Sequence, residues 1–386
     1  MKHYYADLHI HVGRTLSGKP VKITGSKSLT IDTIVYTASQ LKGMDLIGVI
    51  DCHVPEIIQE LQSKINEGHC VERDDGGIQF DSLTLLLGSE IEIYDEHCNG
   101  PVHVLVFLPT LQQMKQFSVW LSSRMTNVHL SSQRLYESGK ELQKIVKKLE
   151  GLFIPAHVFT PFKSLYGKGV KKSLSEVFDP NLIDAIELGL SSNTEMADQV
   201  SELHNFSYVT NSDAHSPEKI AREYQTIRMK TPSFEELKFA LNNVHGRKIG
   251  GNYGFDPKLG KYYRTTCQKC YALRETSMTV CINCGNDKWV KGVYERLQQL
   301  KSTNVRPPER PPYIQHIPLE YIPGIGPKTL EKLRLAFRTD MNILHHVSYE
   351  QLITVVPDKI ARFILNAREG KVTISEGGGG KYGKIT

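Results

Sequence analysis

Apolar and polar positions alternate along the first 250 residues in a pattern that predicts strands separated by helices. Six short apolar runs, typical of buried strands, lie at residues 5–11, 46–53, 84–90, 102–106, 152–157 and 208–215. Stretches with the spacing of amphipathic helices lie at residues 31–42, 55–67, 134–150, 193–204 and 233–243. Strand–helix alternation indicates βαβ units and a parallel sheet in an α/β fold.

The pattern changes after a glycine-rich segment at residues 250–254, and the change predicts further modules. We expect a catalytic domain at 1–254, a four-cysteine module at 255–300, a proline-rich linker at 301–318, a helical module at 319–372 and a flexible glycine-rich tail at 373–386. The linker contains five prolines, which favour a stiff, extended chain.

The composition is that of an ordinary globular protein, with 40% apolar and 23% charged residues. No apolar run reaches the roughly 18–20 residues that a bilayer crossing needs, and no signal-peptide core stands at the start. We therefore expect a cytoplasmic protein that has no membrane partner.

The net charge of +5 conceals an asymmetry between the two parts of the chain. Residues 1–254 carry 26 Lys/Arg against 30 Asp/Glu, whereas residues 255–386 carry 21 against 12. The basic part indicates a docking surface for a polyanion, with nucleic acid as the first candidate. A solvated basic face without a partner is the alternative.

Most of the apolar runs contain a side chain that binds metal ions well. His9 and His11 lie two apart on the first run, so both imidazoles face one side of a strand, and Asp213 and His215 form a second such pair. Ligands at the ends of parallel strands converge on one rim of a closed or nearly closed barrel. The sequence therefore predicts a multinuclear metal centre. Unrelated core or surface histidines are the alternative.

Further ligands for this centre are expected on the middle runs. Glu90 follows an apolar run and can bridge two metal ions, whereas Glu92 is expected to support the site or to lie in a loop. His103 and His157 would complete the second metal. A third metal would be held by Asp51, His53 and His215.

The four-cysteine module has two Cys-x-x-Cys pairs, and ten residues separate the pairs. Such doubled pairs close a tetrahedral site for one structural zinc ion; a redox pair is the alternative. The ligands would be Cys267, Cys270, Cys281 and Cys284.

The helical module opens with Ile-Pro-Gly-Ile-Gly-Pro-Lys at residues 322–328, which predicts two helices joined by a tight turn. Gly324 and Gly326 would let the backbone approach a phosphate at a helix N-terminus, and Lys328 adds a cation. This segment resembles the helix–hairpin–helix motif, which binds the DNA backbone. Residues 355–361 would be a degraded second copy. A helical hairpin without a ligand is the alternative.

Two loops beside the predicted metal centre, residues 13–27 and 163–172, are rich in glycine and lysine. They suit phosphate contacts, although ordinary solvent loops would look the same. The candidate contacts are Arg14, Lys19, Lys22, Lys27, Lys163 and Lys168. Phe159 and Phe162 are candidates for lining a base pocket, with core packing as the alternative.

Five segments together resemble one superfamily: Asp-Leu-His-Ile-His at residues 7–11, Gly-Ser-Glu at 88–90, His103, His157 and Asn-Ser-Asp-Ala-His at 211–215. They resemble the polymerase-and-histidinol-phosphatase (PHP) superfamily, whose fold is a distorted (β/α)7 barrel with a trinuclear metal centre. The resemblance implies three ligand sets: His9, His11, Glu90 and Asp213; Glu90, His103 and His157; and His53 with His215. The superfamily's usual Asp-His is Asp51-Cys52-His53 here, so the third site's ligand stays open between Asp51 and His53.

The whole combination is more specific. A PHP-type barrel followed by a zinc ribbon and an all-α helix–hairpin–helix module resembles the endonuclease Q family, as do residues 155–162 and 187–196. The resemblance implies a DNA repair endonuclease that hydrolyses the phosphodiester 5′ of deaminated bases (uracil, hypoxanthine, xanthine) and of abasic sites. We expect Asp213, His9 and Glu90 to be catalytic.

A PHP-type phosphatase for a small phosphate monoester is the alternative, and a DNA-binding adaptor with an inactive barrel is a third hypothesis. The expected cofactors are one structural Zn²⁺ and two or three divalent barrel metals, Zn²⁺, Mn²⁺ or Mg²⁺; several imidazoles favour the first two. The expected partner of a monomer is damaged DNA, duplex or single-stranded, with a sliding clamp or repair protein as a further candidate.

Overall fold

The computed structural model describes residues 1–275, 278–303, 305–372, 374–375, 377 and 383–385. In chain order the strands are β1 (Lys2–Ile10), β2 (Leu46–Val49), β3 (Val71–Glu72), β4 (Ile78–Phe80), β5 (Leu83–Ile93), β6 (Val102–Leu108), β7 (Arg134–Leu135), β8 (Leu152–Pro155), β9 (Ala185–Glu187), β10 (Ser207–Val209), β11 (Tyr224–Met229), β12 (Lys248–Gly254), β13 (Thr266–Cys267), β14 (Trp289–Val290), β15 (Tyr313–Gln315), β16 (Ile374–Ser375) and β17 (Lys384–Ile385). The α-helices are α1 (Ile31–Tyr36), α2 (Pro55–Asn66), α3 (Leu111–Ser122), α4 (Gly139–Lys148), α5 (Thr194–Ala197), α6 (Phe234–Leu241), α7 (Val293–Leu300), α8 (Pro327–Phe337), α9 (Asp340–His345), α10 (Tyr349–Leu352) and α11 (Asp358–Arg368).

The central sheet confirms the α/β class but is mixed rather than parallel. β1, β2 and β5 are parallel neighbours, as predicted. β6 is antiparallel to β5, and β11 is antiparallel to β1. Parallel neighbours need a crossover connection, whereas residues 94–101 join β5 to β6 through a loop without a helix. The expectation of an all-parallel sheet is therefore wrong at these strands.

The strands enclose an apolar interior. The β9–β10 pair lies between β8 and β12. Asp184 N, just before β9, donates to Phe153 O of β8 (3.0 Å), and Asn252 Nδ2 of β12 donates to Tyr208 O of β10 (3.2 Å). The side chains that meet inside are fully buried and include Leu8, Leu86, Leu105, Ile154, Val209 and Ile227. A second apolar cluster packs the outer helices on the strands.

Several predicted helices are shorter than their sequence pattern. The 31–42 stretch is α-helical to Tyr36 and continues as a π-helix over Thr37–Lys42. In the 134–150 stretch, β7 pairs with β5 first, and α4 begins only after Ser138, whose side chain accepts from Glu141 N. The 193–204 stretch holds only α5 and a 3₁₀ turn, Ser201–Leu203.

The proline-rich segment is a structural part of the sheet rather than a spacer. Its β15 pairs in parallel with β12, and Asn252 N donates to Pro312 O (2.9 Å). Arg310 also binds the barrel, with Nε 3.1 Å from Asp198 Oδ1. The segment was predicted to be an extended linker, and the structure adds that part of it is paired with the sheet. Residue 304 lies outside the described residues.

The C-terminal helices confirm the predicted helical region, and they pack against the barrel. Tyr224 on β11 hydrogen-bonds His345 of α9 (2.7 Å), and the Tyr5 ring stacks on the same imidazole at 5.0 Å. Lys42 is buried, with its Nζ 3.1 Å from Asp340 Oδ2. These contacts fix the helical region on the β1–β11 side.

The part of the predicted tail that the structure describes contains two short strands. β16 and β17 form an antiparallel pair, and the N–H groups of Gly377 and Gly383 donate to the carbonyls of Lys258 (2.7 Å) and Leu259 (3.0 Å). The remainder of the predicted flexible tail lies outside the described residues. Within the described ranges, no helix combines the length and apolarity needed to cross a membrane.

Candidate metal centre

The predicted barrel ligands come together at one rim of the sheet. His9 and His11 stand at the end of β1, Glu90 lies within β5, and His157 follows β8. His103 is the second residue of β6, and it reaches the same rim because β6 runs antiparallel to β5. Strand direction thus explains why one ligand begins a strand while others end one.

Glu90 is the centre of this arrangement. Its Oε1 lies 2.8 Å from His103 Nδ1 and 3.3 Å from His157 Nε2. Its Oε2 lies 3.6 Å from His11 Nε2. One buried carboxylate therefore reaches ligands on both sides of the rim, which is the geometry needed to bridge two cations.

Three groups of side chains have ligand atoms close enough to share an ion. They are His9, His11 and Glu90; Glu90, His103 and His157; and His11, Asp213 and His215. Asp213 connects the first and third groups, because its Oδ1 lies 3.4 Å from His9 Nε2 and 3.5 Å from His11 Nε2.

Buried ring nitrogens show that these residues fit metal ions. His9 Nε2, His11 Nε2 and His157 Nδ1 are inaccessible to solvent and make no hydrogen bond among the described residues. A buried polar atom without a partner is costly, and coordination of a cation is the usual compensation in a cluster of imidazoles and carboxylates.

Two carboxylates orient His9 and His11 by contacting the Nδ1 atom of each ring. Asp51 Oδ2 lies 3.1 Å from His11 Nδ1 and accepts from Val12 N (2.8 Å). Glu187 Oε1 lies 2.9 Å from His9 Nδ1, and its Oε2 accepts from the His157 backbone N–H (2.8 Å). A proton held on each Nδ1 leaves each Nε2 free for the ion.

Asp51 and His53 differ from their predicted place at a third metal. His215 groups with His11 and Asp213 instead, and Asp51 contacts the far side of the His11 ring. The chain turns after β2, where Val54 N donates to Asp51 O (3.2 Å), so His53 is carried out of the described ligand groups. His53 is nevertheless fully buried, and neither ring nitrogen has a hydrogen-bond partner among the described residues.

Glu187 is the site residue that the strand-end rule missed. It ends β9, a strand of only three residues, and is buried with His9 and Asn211, whose Nδ2 donates to Glu187 Oε1 (2.8 Å). The signal was present, since Ala-Ile-Glu is an apolar run ending in a carboxylate, but the run was too short to stand out.

Two of the predicted ligands have left-handed backbone conformations. The φ angle is +46° at Asp213 and +32° at His157, where non-glycine residues are disfavoured. The Asp213 loop is held by Asp7, which accepts from Ser212 N (3.1 Å) and Ala221 N (2.9 Å). The fold therefore fixes this carboxylate toward the rim at a conformational cost.

The electrostatics keep the key carboxylates ionised. Burial acts to raise the pKa of Glu90, but His103 and Lys22 hold it well below its usual range. Burial likewise opposes ionisation of Asp213, while His9 and the neighbouring imidazoles hold its pKa well below the ordinary value.

A cavity of about 670 Å³ opens onto the cluster. Lys22 and Lys163 both line it: Lys22 Nζ donates to Ser132 Oγ (2.6 Å) and lies 3.4 Å from Glu90 Oε2, and Lys163 Nζ lies 2.9 Å from Glu92 Oε2. Ser132 Oγ also donates to Glu90 Oε2. The cavity thus places one cation beside Glu90 and one beside Glu92.

Only some of the other residues predicted to contact DNA line this cavity. Phe162 lines the cavity and is 44% exposed, whereas Phe159 is 1% exposed and stacks on Tyr166 in the core. Of the six cations proposed for phosphate, Lys22 and Lys163 line the cavity and the other four do not: Arg14, Lys19, Lys27 and Lys168. Arg14 Nη1 instead donates to Gly18 O (2.6 Å). Of the two phenylalanines, only Phe162 is therefore placed to meet a ligand.

The four predicted cysteines form one cluster. Their Sγ atoms lie close together, with Cys267 3.6 Å from Cys284 and Cys270 3.4 Å from Cys281. Lys269 N donates to Cys267 Sγ (3.4 Å), as expected for a knuckle that holds a thiolate. This cluster fits one tetrahedral ion.

The glycine turn stands exposed before α8. Gly324 has φ +91°, and Gly326 precedes the helix as its N-cap residue. Lys328 is exposed in the first turn. The turn therefore presents backbone N–H groups and one cation to solvent.

The similarity of this chain to known proteins extends over its whole length. No protein-family model matches it. It is 57% identical over 386 residues, the full length of both chains, to the uncharacterised protein YqxK of Bacillus subtilis (strain 168).

The structure of the lesion-specific endonuclease PfuEndoQ from Pyrococcus furiosus matches with a TM-score of 0.85 and 32% identity over 100% of this chain and 95% of that one. A structure of Endonuclease Q with a 27-mer duplex, which has an abasic lesion at the active site, matches with a TM-score of 0.85 and 32% identity over 100% and 96% of the two chains. The chain belongs to the endonuclease Q family.

Proposed function

We propose that the protein is a metal-dependent endodeoxyribonuclease that nicks DNA on the 5′ side of deaminated bases (uracil, hypoxanthine and xanthine) and of abasic sites. The supporting observation is the match over nearly the whole chain to Endonuclease Q, which binds an abasic lesion at its active site. The Glu90-centred cluster at the cavity supplies the chemistry such an activity needs.

The barrel residues would hold two or three divalent metals, which would polarise the scissile phosphate and activate water for in-line attack. His9, His11 and Asp213 would hold one ion with Glu90, which would also bind the next ion with His103 and His157. The number of imidazoles favours Zn²⁺ or Mn²⁺ over Mg²⁺.

The chain's own groups would position the DNA around this centre. Lys22 and Lys163 line the cavity as cations, beside Glu90 and Glu92 respectively, and would face phosphate oxygens. Phe162 lines the same cavity and would lie beside the displaced nucleotide. A nucleotide at a lesion leaves the stack at lower cost because its pairing is already weak.

The exposed turn at Gly324 and Gly326 would bind the DNA backbone away from the lesion. Free backbone N–H groups at the start of α8 favour a phosphate, and Lys328 adds charge. The four-cysteine cluster would hold zinc. Together with the turn, it would bind the duplex while the metal centre cleaves one DNA strand.

A nicking assay on denaturing gels tests the proposal. Duplexes with uracil, hypoxanthine, xanthine or an abasic site are incubated with Mg²⁺, Mn²⁺ or Zn²⁺, beside an undamaged duplex and p-nitrophenyl phosphate. One nick 5′ to the lesion, absent from undamaged DNA and lost in Asp213→Asn, is expected. Turnover of the phosphomonoester without a lesion-dependent nick would instead support a phosphatase and overturn the proposal.

A further inference from the structure

The loop that carries the predicted ligand Asp213 extends to the C-terminal helical region. It joins β10 to β11 and contains a 3₁₀ turn, Pro217–Lys219. At this turn Lys219 Nζ donates to the Tyr321 hydroxyl (2.5 Å) and lies 4.5 Å from the centroid of the tyrosine ring. Lys219 is six residues after Asp213, and Tyr321 is three residues before Gly324. One contact therefore joins the Asp213 loop to the glycine turn.

The Asp213 loop is strained and is held by its neighbours. The φ angle is +46° at Asp213 and +57° at Ala221. Besides the contacts of Asp7, Arg222 donates from Nε to Ser212 O (2.7 Å) and from Nη2 to Asp213 O (3.3 Å). Such backbone conformations persist only where surrounding contacts maintain them. The position of the Asp213 carboxylate therefore depends on what holds this loop.

Tyr321 belongs to the same short, hydrogen-bonded segment as the glycine turn. It ends the 3₁₀ turn Leu319–Tyr321, and Ile322 N donates to Leu319 O (3.1 Å). Ile325 N donates to Ile322 O (3.0 Å) within the glycine turn itself. Leu319 and Ile322 are buried, so the segment is anchored in the apolar core. The tyrosine and the turn are thus positioned together.

The Asp213 loop and the glycine turn also line one groove. Pro217 and Glu218 of the loop and Gly326 and Pro327 of the turn lie along a groove of about 990 Å³. The N–H groups at the start of α8 favour a phosphate at this place. A DNA backbone bound at the glycine turn would therefore pass beside the loop that carries Asp213.

We propose that Tyr321 is a positioning residue that couples binding of the DNA backbone at the glycine turn to binding of metal by the Asp213 loop. The inference rests on the proposed function. A duplex that orders the glycine turn also fixes Tyr321, which holds Lys219 and thereby the strained loop. Coupling between two binding equilibria is reciprocal, so bound metal strengthens duplex binding by the same factor.

The test measures duplex affinity with and without metal. Fluorescence anisotropy gives the Kd of an undamaged duplex in Mn²⁺ and after removal of the barrel metals with EDTA, at equal ionic strength. The ratio of the two Kd values measures the coupling, and Asp213→Asn gives the effect of Mn²⁺ on the DNA itself. We expect Mn²⁺ to tighten binding by wild type about fivefold or more beyond that effect. Tyr321→Ala should lower the ratio about threefold or more.

Three further variants control this comparison. Lys219→Ala removes the other half of the contact and should lower the ratio as much as Tyr321→Ala, with no further loss in the double variant. Tyr349→Ala removes another tyrosine beside a cation, with Arg362 Cζ 5.2 Å from its ring centroid, and should keep the wild-type ratio. Lys328→Ala should weaken both Kd values and leave their ratio unchanged. Retained zinc and Tm verify each protein.

A wild-type ratio in folded Tyr321→Ala would overturn the inference, and so would a wild-type protein whose ratio equals that of Asp213→Asn. If Tyr349→Ala lowers the ratio as much as Tyr321→Ala, general loosening of the helical region is the cause and the inference also fails. Wild type that binds the duplex in neither buffer would show instead that the proposed function has failed.

Discussion

The metal-ligand rim and the C-terminal glycine turn present their polar groups in opposite ways. At the rim, His9, His11 and Glu90 are at most 1% exposed, and carboxylates behind them fix the rings. At the turn, Gly324, Gly326 and Lys328 are exposed. Burial strengthens the electrostatic interactions among the rim side chains and makes each depend on the others. An exposed phosphate contact instead adds a small, salt-dependent amount to the free energy of DNA binding.

The largest expected effect is at the rim. Asp213→Asn removes a charged oxygen that lies between His9 and His11, and we expect nicking to fall on the order of 10³-fold or more. Gel assays with saturating metal measure it. Full activity in a variant that still contains metal would contradict the role given to Asp213.

A smaller loss of activity is expected at Glu187, which contacts the predicted ligand His9. Glu187→Gln weakens the hold on His9 Nδ1 and should reduce metal affinity or activity about 10- to 100-fold. Metal titration and kcat/KM together measure it, and added metal should restore part of the activity.

The matched control for Glu187 is Glu236→Gln, which alters a buried carboxylate that binds Arg247 far from the rim (2.7 Å). It should lower Tm and leave metal affinity unchanged. If both variants change metal affinity alike, the orientation of His9 is not the cause.

A modest effect is expected at the exposed turn. Lys328→Ala should weaken binding of undamaged and damaged duplexes equally, roughly three- to tenfold, and reduce the salt slope of log K by about 1. Fluorescence anisotropy across salt concentrations measures both. Lys144→Ala on α4, also exposed, is the control; a loss confined to damaged DNA would argue against backbone binding by Lys328.

The smallest effect on activity is expected at Glu223, which belongs to neither region. Glu223 is buried beside β12, accepts from Phe255 N (2.8 Å), and has no partner at its other oxygen among the described residues. Burial raises its pKa to about 8. Below about pH 4.5 the carboxyl is protonated in both folded and unfolded chains, so nothing is lost there.

As pH rises from about 4.5 to 8, the unfolded chain releases this proton while the folded chain retains it, so stability falls. Glu223→Gln removes this loss. We expect its free energy of unfolding at pH 8 to exceed that of wild type by about 1–3 kcal/mol. The two proteins should be similar near pH 4.5. Urea unfolding at both pH values measures the difference, and equal stability at pH 8 would show that Glu223 is ionised in the fold.

Much of the rim could be predicted because ligand type and strand periodicity are local properties. His9 and His11 share a strand face by spacing alone. Asp213 and His215 also come together, but in the loop after β10, where Asp213 has φ +46° and the strand rule does not apply. The cysteine cluster is equally local, since two pairs at fixed spacing define it. These features need no knowledge of how distant strands pair.

The remainder depended on contacts that spacing does not contain. Asp51 and His53 follow one run, but a turn after β2 separates them, and only the three-dimensional path shows which one meets His11. The direction of β6 depends on a loop without a helix. Phe159 and Phe162 are three residues apart, yet one packs on Tyr166 and the other lines the cavity.

The pairing of β15 with β12 has a mechanical consequence. Chain tension between the barrel and α8 would run along β15, parallel to its neighbour, and would load the strand in shear. Its hydrogen bonds would then resist together rather than open one at a time. A segment whose prolines suggest a passive tether would thus resist tension between the barrel and α8, in addition to the direct contacts that the C-terminal helices make with the barrel.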